Sequence, residues 1–221
     1  LDPERAKDSK LAGAAAKLES VQTYGGIIVD TMGFGKTYTS LLFLAVYAQS
    51  LSFSNTQSHR PALCIAPSGI VLHQWQEAIC KFPSLVLIIA YGERATASRL
   101  SSNWVSATAM REAPHKLTNW PAHLRYVFDK SNKAASNVVI LTSYDTWASR
   151  TLQTKRSITK GGRQKKTFES RWANVIGPLL LDEGHKLRHR RTKIYASVRQ
   201  LNAEIIWFLT ATPVINDSLV C

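Results

Sequence analysis

Cysteine is scarce in this chain, acidic residues are outnumbered, and no apolar run is long. Among 221 residues there are three cysteines, Cys64, Cys80 and Cys221. They lack any paired spacing, which argues against a disulfide framework or a cysteine zinc site. The longest apolar runs, Leu41 to Ala48 and Leu85 to Tyr91, fall far short of the roughly 20 residues that a membrane span needs. No charged-then-apolar leader opens the sequence. A soluble protein of a reducing, intracellular compartment, without membrane attachment, is the expectation. The first residue is Leu, and residues 1–20 read as a polar stretch followed by an Ala-rich, helix-forming segment, so the chain is expected to begin inside a longer protein.

What is abundant is positive charge. Lys and Arg number 28 against 15 Asp and Glu, a formal net charge of +13, and a surplus of this size attracts polyanions. Its distribution is uneven. Residues 150–199 contain 14 of the 28 basic residues against only Glu169, Asp182 and Glu183. The two readings are a solvated basic loop and a surface that tracks phosphates, and the latter places Lys155, Arg156, Lys165 and Lys166 on nucleic acid.

Short apolar, β-branched runs alternate with longer helix-compatible stretches. Strands are expected at 26–30, 62–66, 85–90, 138–142, 175–181 and 205–209, and helices at 36–49, 69–81, 144–149 and 193–201. Strands without polar alternation, separated by helices, imply an α/β fold with a mostly parallel sheet covered on both faces. Three stretches interrupt the rhythm and read as loops or insertions: 51–60, 93–137 and 151–171. The second carries Trp104, Trp120, Tyr126 and Phe128, so part of it is expected to fold against the core, because a bare loop of that length is rare in a compact domain. One domain over 21–221 follows, preceded by a partial helical segment at 1–20.

The most informative segment runs from Gly26 through Asp30, Thr31, Met32, Gly33, Phe34 and Gly35 to Lys36 and Thr37. It is an apolar strand entering a glycine turn that opens a helix. Such a turn lets amide hydrogens approach phosphates, Lys36 reaches the terminal phosphates, and the Thr37 hydroxyl is a magnesium ligand. Asp30 occupies the place of the first glycine in the strict phosphate-loop pattern. Far downstream, Leu179, Leu180 and Leu181 lead into Asp182 and Glu183. Adjacent carboxylates at a strand end divide the work of an ATPase: Asp182 holds magnesium, and Glu183 orients and deprotonates the attacking water.

The motif series resembles the Swi/Snf-type branch of superfamily-two helicases. In order the chain has D-T-M-G-F-G-K-T from Asp30, Ala66-Pro67-Ser68 with Trp75 and Glu77, Leu141-Thr142-Ser143-Tyr144, Asp182-Glu183-Gly184-His185, and Leu209-Thr210-Ala211-Thr212-Pro213 running to Asn216. The resemblance implies a RecA-like P-loop NTPase lobe, ATP and Mg2+ as ligands, double-stranded DNA or chromatin as partner, and a nuclear location. It also implies that Pro67, Ser68, Thr142, Ser143 and Tyr144 lie along the DNA backbone, although strand-end packing is the favoured reading for Trp75 and Tyr144 individually. Thr210 and Thr212 would sense the phosphate site and relay its state, with His185 as their contact.

Departures from the family pattern are Thr31 for Glu, Phe34 for Leu and Ala211 for Gly. The upstream adenine-recognising Gln has no counterpart, since its place falls near Ala6 and Gln22 is too close to the turn. The family's second RecA-like lobe, which supplies an arginine finger worth roughly a thousandfold in rate, lies beyond the motifs present. This chain alone is therefore expected to bind ATP weakly and hydrolyse it barely. Two other readings stand beside the remodeller or repair translocase. One is an RNA or DNA unwinding helicase, which the Thr-Ala-Thr at 210–212 resembles, and the other is a non-catalytic nucleic-acid-binding remnant.

Overall fold

A computed structural model describes residues 24–31, 33–53, 58–93, 102–158, 164–212, 214–215 and 218–219. Its centre is a six-stranded sheet in the order β1-β8-β7-β2-β4-β3, with every pairing parallel. The strands are β1 (Gly25–Val29), β2 (Ala62–Ala66), β3 (Val86–Ile89), β4 (Val138–Ser143), β7 (Pro178–Asp182) and β8 (Ile205–Thr210). Every residue of β2 and β4 is buried, as expected of strands covered on both faces: β2 is wholly apolar, and β4 is apolar up to Thr142 and Ser143.

Helices α1 (Lys36–Phe53) and α2 (Ile70–Cys80) follow β1 and β2. They bury Leu41 and Leu44, and Leu72, Trp75 and Ile79, in one core cluster that also contains Cys64, Leu141 and Leu180. Another cluster is built on Ile65, Ile140, Leu179 and Leu181 together with Trp120, Trp147 and Trp172. To it α4 (Tyr144–Thr151) and α5 (Lys193–Arg199) contribute Tyr144, Trp147 and Val198. Ser143 and Thr192 cap these last two helices, accepting from the backbone N–H groups of Thr146 and Tyr195. Such caps satisfy donors that the first helical turn leaves open.

Residues 102–137 are folded rather than loose. Helix α3 (Ala107–Glu112) and the 3-10 turns Ala122–Phe128 and Lys133–Asn137 bring Trp120 and Phe128 into edge contact at 4.8 Å, and Phe128 reaches Trp172 at 5.7 Å. Trp147 stands against Trp172 at 5.2 Å.

The stretch 151–171, expected as a loop, instead forms an antiparallel hairpin of β5 (Leu152–Ile158) and β6 (Gln164–Ser170), paired from Leu152↔Ser170 to Ile158↔Gln164. The basic residues concealed its strand character, because apolar alternation is the main sequence signal for a strand. The strand expected at 175–181 begins only at Pro178. Asn174 takes a left-handed φ of 59°, and Val175 is held in a turn by its N–H to the Trp172 carbonyl. Helix α1 runs on to Phe53, shortening the expected 51–60 loop. The N-terminal segment 1–20, with Gln22, lies outside the described residues.

Candidate functional site

The strand order places three motif-bearing strand ends side by side. β8 lies between β1 and β7, with Val29 opposite Thr210 and Asp182 opposite Leu209. The turn after β1 and the carboxylates after β7 are therefore two strand spacings apart, about 10 Å.

In the turn, Gly33 and Gly35 adopt φ of 87° and 84°, a region that other L-residues enter only with strain. A Cβ at either would meet no atom within 4 Å, so the backbone faces open space there, as a phosphate cradle requires. Lys36 Nζ donates to the carbonyls of Asp30 at 2.6 Å and Thr31 at 2.8 Å, which draws the ammonium over the turn. The Asp30 carboxylate accepts from the Thr31 N–H at 2.9 Å, bracing the place where the strict pattern has glycine. Thr37 is half-buried in the first turn of α1, Phe34 is exposed, and Met32 lies outside the described residues.

At the end of β7 the Asp182 carboxylate accepts a hydrogen bond from Trp75 Nε1 at 2.8 Å. Burial pushes its pKa up, the neighbouring Glu183 charge adds to the rise, and the Trp75 donor and the Lys36 charge oppose it. Glu183 itself has a left-handed backbone, φ 51°, which costs a non-glycine residue about 1–2 kcal/mol. Such strain is often stored where a side chain must be aimed. Here it turns the chain sharply from β7 into the 3-10 turn Gly184–Leu187.

His185 Nδ1 comes within 3.1 Å of Glu183 Oε2, yet off the hydrogen-bonding direction, so that nitrogen is buried without a bonded partner. His185 thus lies beside Glu183. Thr210 is buried and its hydroxyl accepts from the Thr212 N–H at 3.1 Å, which links the two threonines locally.

The segments expected along DNA differ from each other. Pro67 is half-buried and Ser68 exposed in the turn after β2, where both remain accessible. Thr142, Ser143 and Tyr144 are almost wholly buried, so the Thr142 and Ser143 side chains do not face the surface where the resemblance places them, and Tyr144 is packed in the core. Thr142 donates to the Ala90 carbonyl, Ser143 caps α4, and Tyr144 Oη donates to the Asp182 carbonyl at 2.8 Å. Their hydroxyls are consumed inside the fold. The Tyr144 hydroxyl is held well above its ordinary pKa by burial and by the Asp182 charge, so it remains a donor. The side chains of Lys155, Arg156, Lys165 and Lys166, on β5 and β6, lie outside the described residues.

Sequence reasoning misses the donors to Asp182. Trp75 and Tyr144 read as packing residues because nothing in local spacing pairs them with a residue 107 or 38 positions away.

Comparison with known proteins then decides the family. The SNF2-related domain matches residues 11–219. The chain belongs to the SNF2-related domain family. This lobe is 30% identical over 199 residues to the DNA repair protein rad5 of Aspergillus fumigatus, covering 87% of this chain and 14% of that protein. It is 24% identical over 197 residues to the CHD3-type chromatin-remodeling factor CHR7 of Arabidopsis thaliana, covering 86% and 12%. The SNF2-related lobe therefore spans about one seventh of the length of these relatives. In fold it resembles a nuclease-deletion mutant of the Type ISP restriction-modification enzyme LlaGI in complex with a DNA substrate mimic. That likeness has a TM-score of 0.52 at 17% identity and covers 98% of this chain and 18% of the other. The RecA-like, parallel-sheet lobe expected from the sequence is the one observed. Among the described residues no helix is long and apolar enough to cross a membrane.

Proposed function

We propose that this SNF2-related lobe binds ATP with Mg2+ as the first RecA-like half of a DNA-dependent ATPase of the remodelling or repair-translocase class. The observation that supports it best is that the glycine turn after β1 and the Asp182–Glu183 pair after β7 lie at the same end of the sheet, separated only by β8. The turn and the amides at the start of α1 receive phosphate oxygens, and Lys36 neutralises their charge. Thr37 and Asp182 would hold magnesium, which supplies Lewis-acid charge to the phosphates. The donor set fits that ion, being hard oxygens beside an open phosphate cradle. Glu183, aimed by its left-handed backbone, orients the attacking water and takes its proton. Hydrolysis then cleaves the bond from the γ-phosphorus to the bridging oxygen, releasing ADP and phosphate.

Titration with a fluorescent ATP analogue tests the nucleotide reading. Lys36→Ala is expected to weaken binding at least about tenfold, the scale of one charge-assisted hydrogen bond. Equal affinity in wild type and variant, or no binding in either, overturns it.

The DNA partner rests on the basic 150–199 region, on its hairpin β5–β6, and on relatives that are DNA repair and chromatin-remodelling proteins. Replacing Lys155, Arg156, Lys165 and Lys166 by Gln is expected to weaken duplex DNA binding and to flatten the log K against log salt slope by about 0.9 for each phosphate no longer neutralised. An unchanged slope removes the hairpin from the interface. With chromatin or damaged DNA as substrate, the full-length protein would work in the nucleus.

A further inference from the structure

Asp182 is held by two aromatic side chains from outside its own strand. Trp75 Nε1 donates to its Oδ2 and Tyr144 Oη to its backbone carbonyl, each at 2.8 Å. Trp75 is 1% exposed and Tyr144 likewise 1%, so water does not compete for either donor.

The bond from Trp75 stands apart from those of the other tryptophans. Trp104, Trp120, Trp147 and Trp172 donate to backbone carbonyls, and Trp207 Nε1 is buried without a hydrogen-bond partner among the described residues. Trp75 alone donates to a carboxylate. An indole N–H offers one donor in a fixed ring plane and no acceptor. It engages Oδ2 while the Glu183 backbone N–H also donates to the carboxylate, and it does so without a positive charge that would repel a cation. A lysine or arginine in its place would neutralise the carboxylate and compete with the metal.

The two donors also come from informative places. β7 lies beside β2, and β2 beside β4. Trp75 is on α2, the helix that follows the Pro67–Ser68 turn after β2, and Tyr144 is the first residue of α4, directly after β4. The helix after β2, the strand next to β7, and the helix after β4, one strand further, therefore each send an aromatic donor to the end of β7. Lys186, from the 3-10 turn after Glu183, lies over the Tyr144 ring, its Nζ 5.9 Å from the centroid, and closes the arrangement from the β7 side.

Building on the nucleotide reading above, we propose that Trp75 and Tyr144 are positioning residues for the magnesium-binding carboxylate. Trp75 selects the Asp182 rotamer and the oxygen that meets the ion, and Tyr144 fixes the backbone from which that carboxylate projects. Their effect is on the metal-dependent part of nucleotide binding.

The test compares ATP affinity in Mg2+ with ATP affinity in EDTA for wild type, Trp75→Phe and Tyr144→Phe, each as the whole 221-residue chain. Wild type is expected to bind more tightly with Mg2+. Trp75→Phe should reduce that enhancement by about tenfold or more, the effect of one hydrogen bond to a charged group, with affinity in EDTA unchanged. Tyr144→Phe, which keeps the ring and its packing, should reduce it by about two- to threefold. In an Asp182→Asn background neither change should alter the response to Mg2+.

A parallel fall in Mg2+ and in EDTA means that the two rings only pack, and it overturns the assignment. So does an unchanged enhancement in Tyr144→Phe together with a Trp75→Phe chain that is unchanged or unfolded. A wild-type chain that binds ATP in neither condition overturns the nucleotide reading and this assignment together. Binding by wild type with identical variants overturns the assignment alone.

Discussion

The two edges of the sheet are finished in opposite ways. At the β3 edge the chain folds back on itself: Trp104 bridges to Ile89, the Val105 N–H donates to the Ile89 carbonyl, and Asn103 Nδ2 donates to the Leu87 carbonyl. Behind it the buried Trp172 stands edge to face against Trp147 and tilted against Trp120, both also buried. At the β1 edge Ile27 and Val29 are about half exposed, at 53% and 51%. A stripe on α1, Tyr38, Leu42 and Val46, is also exposed. The glycine turn hangs from this second edge. One side of the lobe is thus a packed support, and the other leaves the turn open, where tight enclosure would obstruct nucleotide entry.

The largest effect should come from breaking the sealed side. Trp172→Ala removes the ring shared by Trp120, Phe128 and Trp147 and is expected to cost about 3–5 kcal/mol, read by denaturant unfolding. A loss below about 1 kcal/mol would show that the aromatic cluster does not support that edge.

A smaller effect of opposite sign is expected at the centre. Asp182→Asn removes a carboxylate whose ionisation burial opposes, while the amide oxygen still accepts from Trp75. The nucleotide-free chain should gain about 1 kcal/mol in the same unfolding experiment, while its binding of Mg2+ with ATP is lost. Destabilisation instead would mean that the Trp75 bond outweighs the cost of burying the charge.

The smallest effect belongs to the β1 edge. Ile27→Ser, at a half-exposed position, should stay within about 0.5 kcal/mol. A cost like that at Trp172 would erase the contrast between the edges.

Much of the fold and site is legible along the chain. Gly33, Gly35, Lys36 and Thr37 are contiguous or nearly so, and the strand before and the helix after them follow from local periodicity and propensity. Asp182 and Glu183 are equally local, an acidic pair closing an apolar run. The hairpin is not legible, because Lys155, Arg156, Lys165 and Lys166 break the apolar alternation by which a strand is recognised. The true start of β7 is hidden as well, since Val175 and Ile176 look like strand residues and only the left-handed Asn174 and the turn it introduces exclude them. For Thr142 and Ser143 the resemblance points outward and the fold turns them inward. Their hydroxyls suit phosphate as well as they suit a neighbouring carbonyl, and burial decides between the two.

By itself the sequence determined the family, the α/β order of elements and the candidate groups for holding phosphate and magnesium, because each of those signals lies within a dozen or so neighbouring residues. Only the tertiary structure decided what surrounds Asp182. Parallel strands are joined by crossovers, so strands adjacent in space are distant along the chain. The order β7-β2-β4 therefore joins Trp75 and Tyr144 to a carboxylate that no local pattern connects with them.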